Sequence, residues 1–553
     1  MVRRRRSRSG TLVVLLVLFF VATSLPLACW AFISRLEPRR AAAPPTLRLA
    51  YSPDKDALLR QLLAEFERQQ PKTSSGADMR VEIVSMLPED MVKAAVTGGV
   101  QAVSPDSSLW LTAIDEAWQN EKGSDSQLVG ETVRFAISPV VIAMRDSVAR
   151  SLGYPDEPLG WRDILERARG DSQFAWSHSS TSTASGLLAT LAEFYAGAGK
   201  TRGLTVEDAT SESVLSYVSA LESTVKQYGE GELATVERAL SEGKLALDAF
   251  VVQEQLVVYF NSQSDEQLVA VYPEEGTLWE DHPLALLEPA GLSRESRETF
   301  QALKRFLLGR EAQQAVLASG YRPSDLGMPL DGPDSPLVAA NGVDPRQPQT
   351  VLQMPSIAVV SVVRDVWWYT KRHTNVVLVV DSSGSMEGEK IAGAQLALRA
   401  FVAAIRGDAE RVGMVEFSTE IERLVPLDTL GDNRAALELA TEELQVGGDT
   451  ALLDAVGAAY GLLQELGDRE RINAIVVMTD GRENASSTRL RQLESRIRDG
   501  NARGVPVVIF SIAYGRDADL GVLGAIAEAS RGQVRRGDTT SIEDLYKTIS
   551  TYF

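Results

Sequence analysis

A single cysteine, Cys29, stands among 553 residues. No intramolecular disulfide can form, and a zinc site built on two thiolates is excluded. Histidine is nearly as scarce: His178, His282 and His373 lie far apart, and no HExxH pair occurs, so catalytic zinc has no ligand spacing to use. Positive charge is short too. Lys and Arg total 56 against 75 Asp and Glu, a net charge of −19. A nucleic-acid partner is excluded on that ground, because phosphate binding needs a basic face. There is no GxSxG elbow, and no histidine lies within the DxSxS segment described below to act as a base. The chain reads as a binding protein and not an enzyme.

What is present suits folded domains. The hydrophobic fraction is 44% and the charged fraction 24%, ordinary globular values, and the length allows about three to four domains. The N-terminus departs from that average. Arg3, Arg4, Arg5, Arg6 and Arg8 precede an almost uncharged run over 11–33. As a helix the run would span about 35 Å, enough for a hydrocarbon core of about 30 Å. Its basic flank should stay cytoplasmic and place the rest of the chain outside. We expect residues 1–40 to be a cytoplasmic tip and a transmembrane signal-anchor in the cytoplasmic membrane, with the bulk at the cell surface or in the periplasm. A cleaved signal peptide and lipidation at Cys29, in Leu25-Pro26-Leu27-Ala28-Cys29, are the alternatives.

From Thr46 onward short apolar runs alternate with amphipathic stretches. Strands are expected at 47–51 and 81–86, and helices at 56–69 and 89–97, the latter stopped by Gly98-Gly99. That alternation predicts an α/β fold with a mostly parallel sheet. Several pieces in order resemble bacterial extracellular solute-binding proteins of ABC-type transporters. They are Asp106-Ser107-Ser108-Leu109-Trp110, Ile137-Ser138-Pro139-Val140-Val141, Leu159-Gly160-Trp161, the serine-threonine loop 177–186, Asp281-His282-Pro283 and Gly320-Tyr321-Arg322-Pro323. The resemblance implies two α/β lobes over 46–330 with a ligand cleft between them. It implies crossings near 137–144 and 247–260, with a lobe inserted over 145–245.

Hydroxyls around a helix start can hold an anion on free N–H groups. Ser182, Thr183 and Ser185 are therefore candidate ligands for a small solute or oxyanion, and the resemblance to the solute-binding family adds Ser52 after the first strand. An ordinary capping loop is the competing reading. Gly197-Ala198-Gly199-Lys200-Thr201 imitates a nucleotide P-loop, but Phe194 replaces the first glycine that the motif needs, and a helix, not a strand, precedes it. It is a helix C-terminus.

Residues 331–374 are expected to be a proline-rich linker, followed by an amphipathic hinge helix over 356–372 that carries Ile357, Val360, Val363, Trp367 and Trp368 on one side.

The last part, 375–553, begins with a continuous apolar run at 375–380, suited to a strand buried on both faces. Asp381-Ser382-Ser383-Gly384-Ser385 follows, then a long helix to about 405. Further strands are expected at 412–417, 472–478 and 505–512. Helices are expected at 433–445, 451–466, 487–500 and 520–530. The DxSxS pattern, with Thr450 in Gly447-Gly448-Asp449-Thr450 and Asp480 after a later strand, resembles the metal-ion-dependent adhesion site of von Willebrand factor type A (VWA) domains. That resemblance implies a Rossmann-like domain, a central parallel sheet flanked by helices. It makes Asp381, Ser383, Ser385, Thr450 and Asp480 the metal site, with the hydroxyls coordinating directly and the two carboxylates acting through water. Asp449 departs from the usual GGT and adds a carboxylate nearby. Hard oxygen donors suit Mg2+, or Mn2+ or Ca2+. A protein or glycan carboxylate would complete the coordination, for adhesion or complex assembly. The alternative function is a transporter receptor for a small solute.

Overall fold

The computed structural model describes residues 46–550, apart from Ser124, Glu230, 244–246, Arg406 and Thr540. The basic tip, the apolar run 11–33 and Cys29 lie outside the described residues. Among the described residues no helix is long and apolar enough to cross a membrane.

Three sheets organise the chain. The first runs Val81–Ser85, Leu47–Tyr51, Ala102–Ser104, Pro283–Leu287, Val129–Arg134. Its first three strands are parallel, and Pro283–Leu287 enters antiparallel. The helix Asp56–Arg68 turns Leu58, Leu59, Leu62, Leu63 and Phe66 onto this sheet, the spacing that makes one face of a helix apolar. The second sheet centres on Ala136–Arg145, paired with Ala249–Gln253, Leu268–Val271, Trp279–Glu280 and Arg322–Pro323. Trp176–Ser179 and Tyr228–Gly229 extend it. Two lobes result.

The crossings fall elsewhere than expected. The chain passes from the first sheet to the second between Arg134 and Ala136, and returns between Glu280 and Pro283. Residues 247–260 stay in the second lobe, as the strand Ala249–Gln253 and the helix Glu254–Gln263. The second lobe therefore runs from 136 to 280 rather than 145 to 245. Apolar strand composition shows burial but not which sheet a strand joins.

The proline-rich stretch lies along the second lobe as a strap: Leu337, Val343 and Leu352 are buried, and Val351 bridges to Thr277. The helix Ile357–Thr370 buries Val359, Val360, Val363 and Trp367 in that lobe's core, a cluster that also takes in Ile472 of the third sheet's domain. Arg372 closes the joint. Its guanidinium donates to the carbonyls of Val225, Arg469 and Glu470, and its N–H to the Tyr228 hydroxyl.

The third sheet runs Ile421–Thr429, Arg411–Phe417, Thr374–Asp381, Ile472–Thr479, Val507–Tyr514, Gln533–Gly537. All pairs are parallel except the first. Every residue of Thr374–Asp381 is buried. Val376, Leu378 and Val380 point into one core, with the helices Glu389–Ala404, Leu430–Glu442 and Ile542–Ser550. Val377 and Val379 point into the other, with Leu452–Leu466, Leu490–Arg503 and Leu520–Ser530. A β-branched run with no polar alternation can sit only between two such layers.

Candidate metal centre

Parallel strands deliver their loops to one rim of a sheet, and two adjacent strands of the third sheet end in the expected ligands. Asp381 terminates Thr374–Asp381, and Asp480 directly follows Ile472–Thr479. Both are fully buried. Asp381 accepts from the Ser383 N–H at 2.7 Å and from the Thr479 hydroxyl. This fixes the serine loop as a tight turn over the strand end. Burial raises the Asp381 carboxyl above its ordinary range, with Asp480 adding to the rise, while hydrogen bonds from Ser383 and Thr479 oppose it.

The hydroxyls then follow in a chain. Ser383 Oγ lies 3.1 Å from Ser385 Oγ, which donates to Asp480 Oδ1 at 2.7 Å. Thr450 arrives from a third loop. Its N–H donates to Asn484 Oδ1 at 2.7 Å, and its carbonyl accepts from the Asn484 N–H at 3.1 Å. A Cβ placed on Gly481 would stand 2.8 Å from Thr450 Oγ1 and 3.3 Å from Ser385 Oγ. Those two hydroxyls and the glycine thus back one small concavity, which any side chain at 481 would fill. Gly384 N–H donates to Gly448 O at 3.1 Å and Gly447 N–H to Ser382 O at 2.9 Å, tying the first loop to the second. The structure brings all five expected residues to one place.

A hard-oxygen donor set of three hydroxyls and two carboxylates around a concavity fits a divalent cation such as Mg2+. One neighbour was not anticipated. Lys390, on the helix Glu389–Ala404, places its ammonium on Asp480 Oδ2 and 3.2 Å from Ser385 O. A tethered positive charge thus already touches one carboxylate of the cradle. In sequence Lys390 was one helical lysine among several. Asp449 is exposed, with its carboxylate 3.5 Å from Asn484 Nδ2. Asn484 itself had no sequence signal, because its role is to clasp a loop distant in the chain.

The candidate solute residues separate into two kinds. Thr183 caps the helix Ala184–Ala198, accepting from Gly186 N–H at 3.1 Å and donating to Ser180 O. Ser182 pairs with Ser180 Oγ at 2.5 Å. Both are engaged in local loop structure. Ser52 and Ser185 are buried, and their hydroxyls have no hydrogen-bond partner. Ser179 is in the same condition.

With this geometry in hand, comparison with known proteins is direct. Residues 375–548 match the von Willebrand factor type A domain, and residues 47–322 match the bacterial extracellular solute-binding protein family. Inter-alpha-trypsin inhibitor heavy chain H4 from Homo sapiens is 27% identical over 190 residues, covering 32% of this chain and 20% of that one. The same protein from Sus scrofa is 26% identical over 186 residues, with 32% and 20% covered. The chain spans about a fifth of the length of these curated relatives. Among solved structures, a von Willebrand factor type A protein from Catenulispora acidiphila aligns at 21% identity and a TM-score of 0.29, covering 33% of this chain and 43% of that one. The sulfate-binding protein SubI from Mycobacterium tuberculosis H37Rv aligns at 16% identity and 0.37, covering 51% and 88%.

Proposed function

From the premise that this chain joins a bacterial extracellular solute-binding domain to a von Willebrand factor type A domain, we propose that it grips a partner outside the cytoplasm through a metal-bridged carboxylate. The metal-holding residues are Ser383, Ser385 and Thr450 by hydroxyl, with Asp381 and Asp480 orienting them and balancing charge. A bound divalent cation supplies an electrophilic position open to a carboxylate oxygen of a protein or glycan. Everything else is done by the chain. Asp381 holds the serine turn, Asn484 holds the threonine loop, and Gly481 leaves the space. Anchoring by the N-terminal apolar run would hold the domain outside the cytoplasmic membrane.

The observation that carries the reading is the convergence, around Gly481, of three loops that together span residues 381–481. The test is a thermal-shift titration of the full chain with Mg2+ and Mn2+. Ligation stabilises by about 2.7 kcal/mol at a hundred times Kd. Wild type should shift upward and EDTA should reverse the shift. Gly481→Val should stay folded and show no shift with Mg2+. A wild-type protein indifferent to millimolar Mg2+ and Mn2+ would sink the reading.

A further inference from the structure

The rim of the first sheet faces the second lobe, and what gathers there is acid. Asp106 follows the strand Ala102–Ser104, Glu280 ends Trp279–Glu280, and His282 lies in the return crossing. All three are buried, and one ligand atom from each lies within 4.8 Å of the others. Lys55, also buried, stands 3.0 Å from Asp106 Oδ1 and donates to Pro105 O at 2.7 Å. His282 Nδ1 lies 3.3 Å from the same Asp106 oxygen. Two more carboxylates close the cleft. Asp54, from the first lobe, accepts from Leu233 N–H at 2.9 Å and so caps the helix Glu232–Glu242 of the second. Glu232, at that helix start, accepts from the Gln253 side chain at 3.1 Å and from its backbone N–H.

Three buried carboxylates, Asp106, Glu232 and Glu280, and the half-buried Asp54 thus face one lysine and one histidine. Burial, reinforced by Asp106, pushes Asp54 up to about 7. Burial with Asp54 and Asp106 pushes Glu232 up to about 8. Burial, then Glu232, pushes Glu280 well above the usual range. Protons alone do not resolve the site. Both Glu280 oxygens lack any hydrogen-bond partner, and so does His282 Nε2. A protonated Glu280 would still be a buried donor without an acceptor, an arrangement native proteins rarely keep.

We propose that the cleft between the lobes holds a divalent transition-metal ion bound by Asp106, Glu280 and His282. Neighbouring ligands around such an ion stand about 3.4 Å apart; Asp106 Oδ1 and His282 Nδ1 already stand at 3.3 Å, and Glu280, within 4.8 Å of both, closes in to complete the set. An imidazole with two carboxylates selects Mn2+, Fe2+, Co2+ or Zn2+ over Mg2+ and Ca2+. It also turns the cleft away from the oxyanion expected from its hydroxyls. Asp54 already occupies the N-terminus of the helix Glu232–Glu242, and further carboxylates lie beside it. The cleft ion is independent of the metal-bridged grip proposed above, whose ligands include no nitrogen.

Mn2+ separates the two sites by spectroscopy. The full chain is titrated with Mn2+ by electron paramagnetic resonance, and the bound ion is examined for 14N modulation. Wild type and Asp381→Ala should both hold an ion showing nitrogen coupling. His282→Gln should lose the nitrogen signal, and Glu280→Gln should weaken that ion at least tenfold. The proposal is overturned by bound Mn2+ without nitrogen coupling, by no Mn2+ in Asp381→Ala, or by a loss below tenfold in Glu280→Gln. Stabilisation by an organic ammonium in place of Mn2+ would overturn it too. Because wild type alone tests the nitrogen ligand, a variant that misfolds does not remove the test.

Discussion

Replacing Glu410 by glutamine should cost on the order of 3–5 kcal/mol and should change how stability depends on pH. Glu410 is fully buried where the two halves of the molecule meet. Its carboxylate lies 2.8 Å from Lys371 Nζ and 3.0 Å from His373 Nδ1, and it accepts from the Thr374 N–H and hydroxyl. Lys371 is equally buried, 5.7, 5.9 and 5.3 Å from the rings of Tyr228, Trp367 and Trp368. Burial alone would raise the carboxyl. Lys371, followed by His373 and Thr374, outweighs it and holds Glu410 at about 2 against an ordinary 4.5. At about 1.4 kcal/mol per unit, that difference favours the charged fold by about 3 kcal/mol. Glutamine keeps the shape but leaves the ammonium buried without its counter-charge, the case in which a broken pair costs about 3–5 kcal/mol.

The sign follows from the depressed carboxyl. Its contribution is complete above about pH 4.5 and is lost as pH falls toward 2. Urea unfolding at pH 7, 5, 4 and 3 should therefore show wild type losing about 2 kcal/mol more than the glutamine variant between pH 7 and pH 3. The double change Lys371→Met with Glu410→Leu should recover most of the loss, because apolar replacement of a whole buried pair is often neutral. A Glu410→Gln protein within 1 kcal/mol of wild type at pH 7, or with the same acid limb, would refute the argument.

Lys390→Met removes the ammonium from Asp480 and should raise Mg2+ affinity at the metal centre about three- to tenfold, read by calorimetry; lowered affinity would show that the lysine helps to build the site. Trp367→Phe keeps an aromatic ring but removes the indole donor to buried Glu222, which also faces His178 at 3.2 Å and accepts from Tyr228 at 2.8 Å. A cost of about 1–3 kcal/mol is expected in denaturant unfolding, and a neutral result would mean that the Glu222 network re-forms without it.

The strands that can be read from sequence are those buried on both faces. Thr374–Asp381 and Ile472–Thr479 carry unbroken apolar runs, and nothing but a central strand accommodates them. The edges were invisible for the opposite reason. Ile421–Thr429 is largely exposed and contains Pro426, and Gln533–Gly537 is polar with two arginines. An edge strand is shaped by its one neighbour and by solvent, so its composition resembles that of a loop. The displaced lobe crossing has a similar origin. Phe135 and His282 mark the passages, yet each lies in a short connection whose role depends on which sheet receives the next strand.

The two polar sites differ in legibility for a physical reason as well. At the metal centre the ligands belong to loops that directly follow buried strands, so a short motif at a strand end reports position and chemistry together. Asp381 and Asp480 had to meet once their strands were neighbours, and the strands pair over seven residues from Thr374↔Ile472 to Val380↔Met478. In the cleft Asp106 and His282 fell in segments that resembled the solute-binding family, but neither segment reported a cation-binding chemistry. Asp54, Asp106, Glu232, Glu280 and His282 come from both lobes and from connections without periodic pattern, and each alone is an ordinary acid or histidine. Only closure of one lobe on the other, with Asp54 capping a helix of its neighbour, turns them into a buried excess of negative charge. The serine-threonine loop drew attention because its composition was unusual, whereas the charge that governs the cleft was distributed over four separate segments. A ligand's sign is set by the sum of what surrounds it at close range, and that sum is a property of the closed fold.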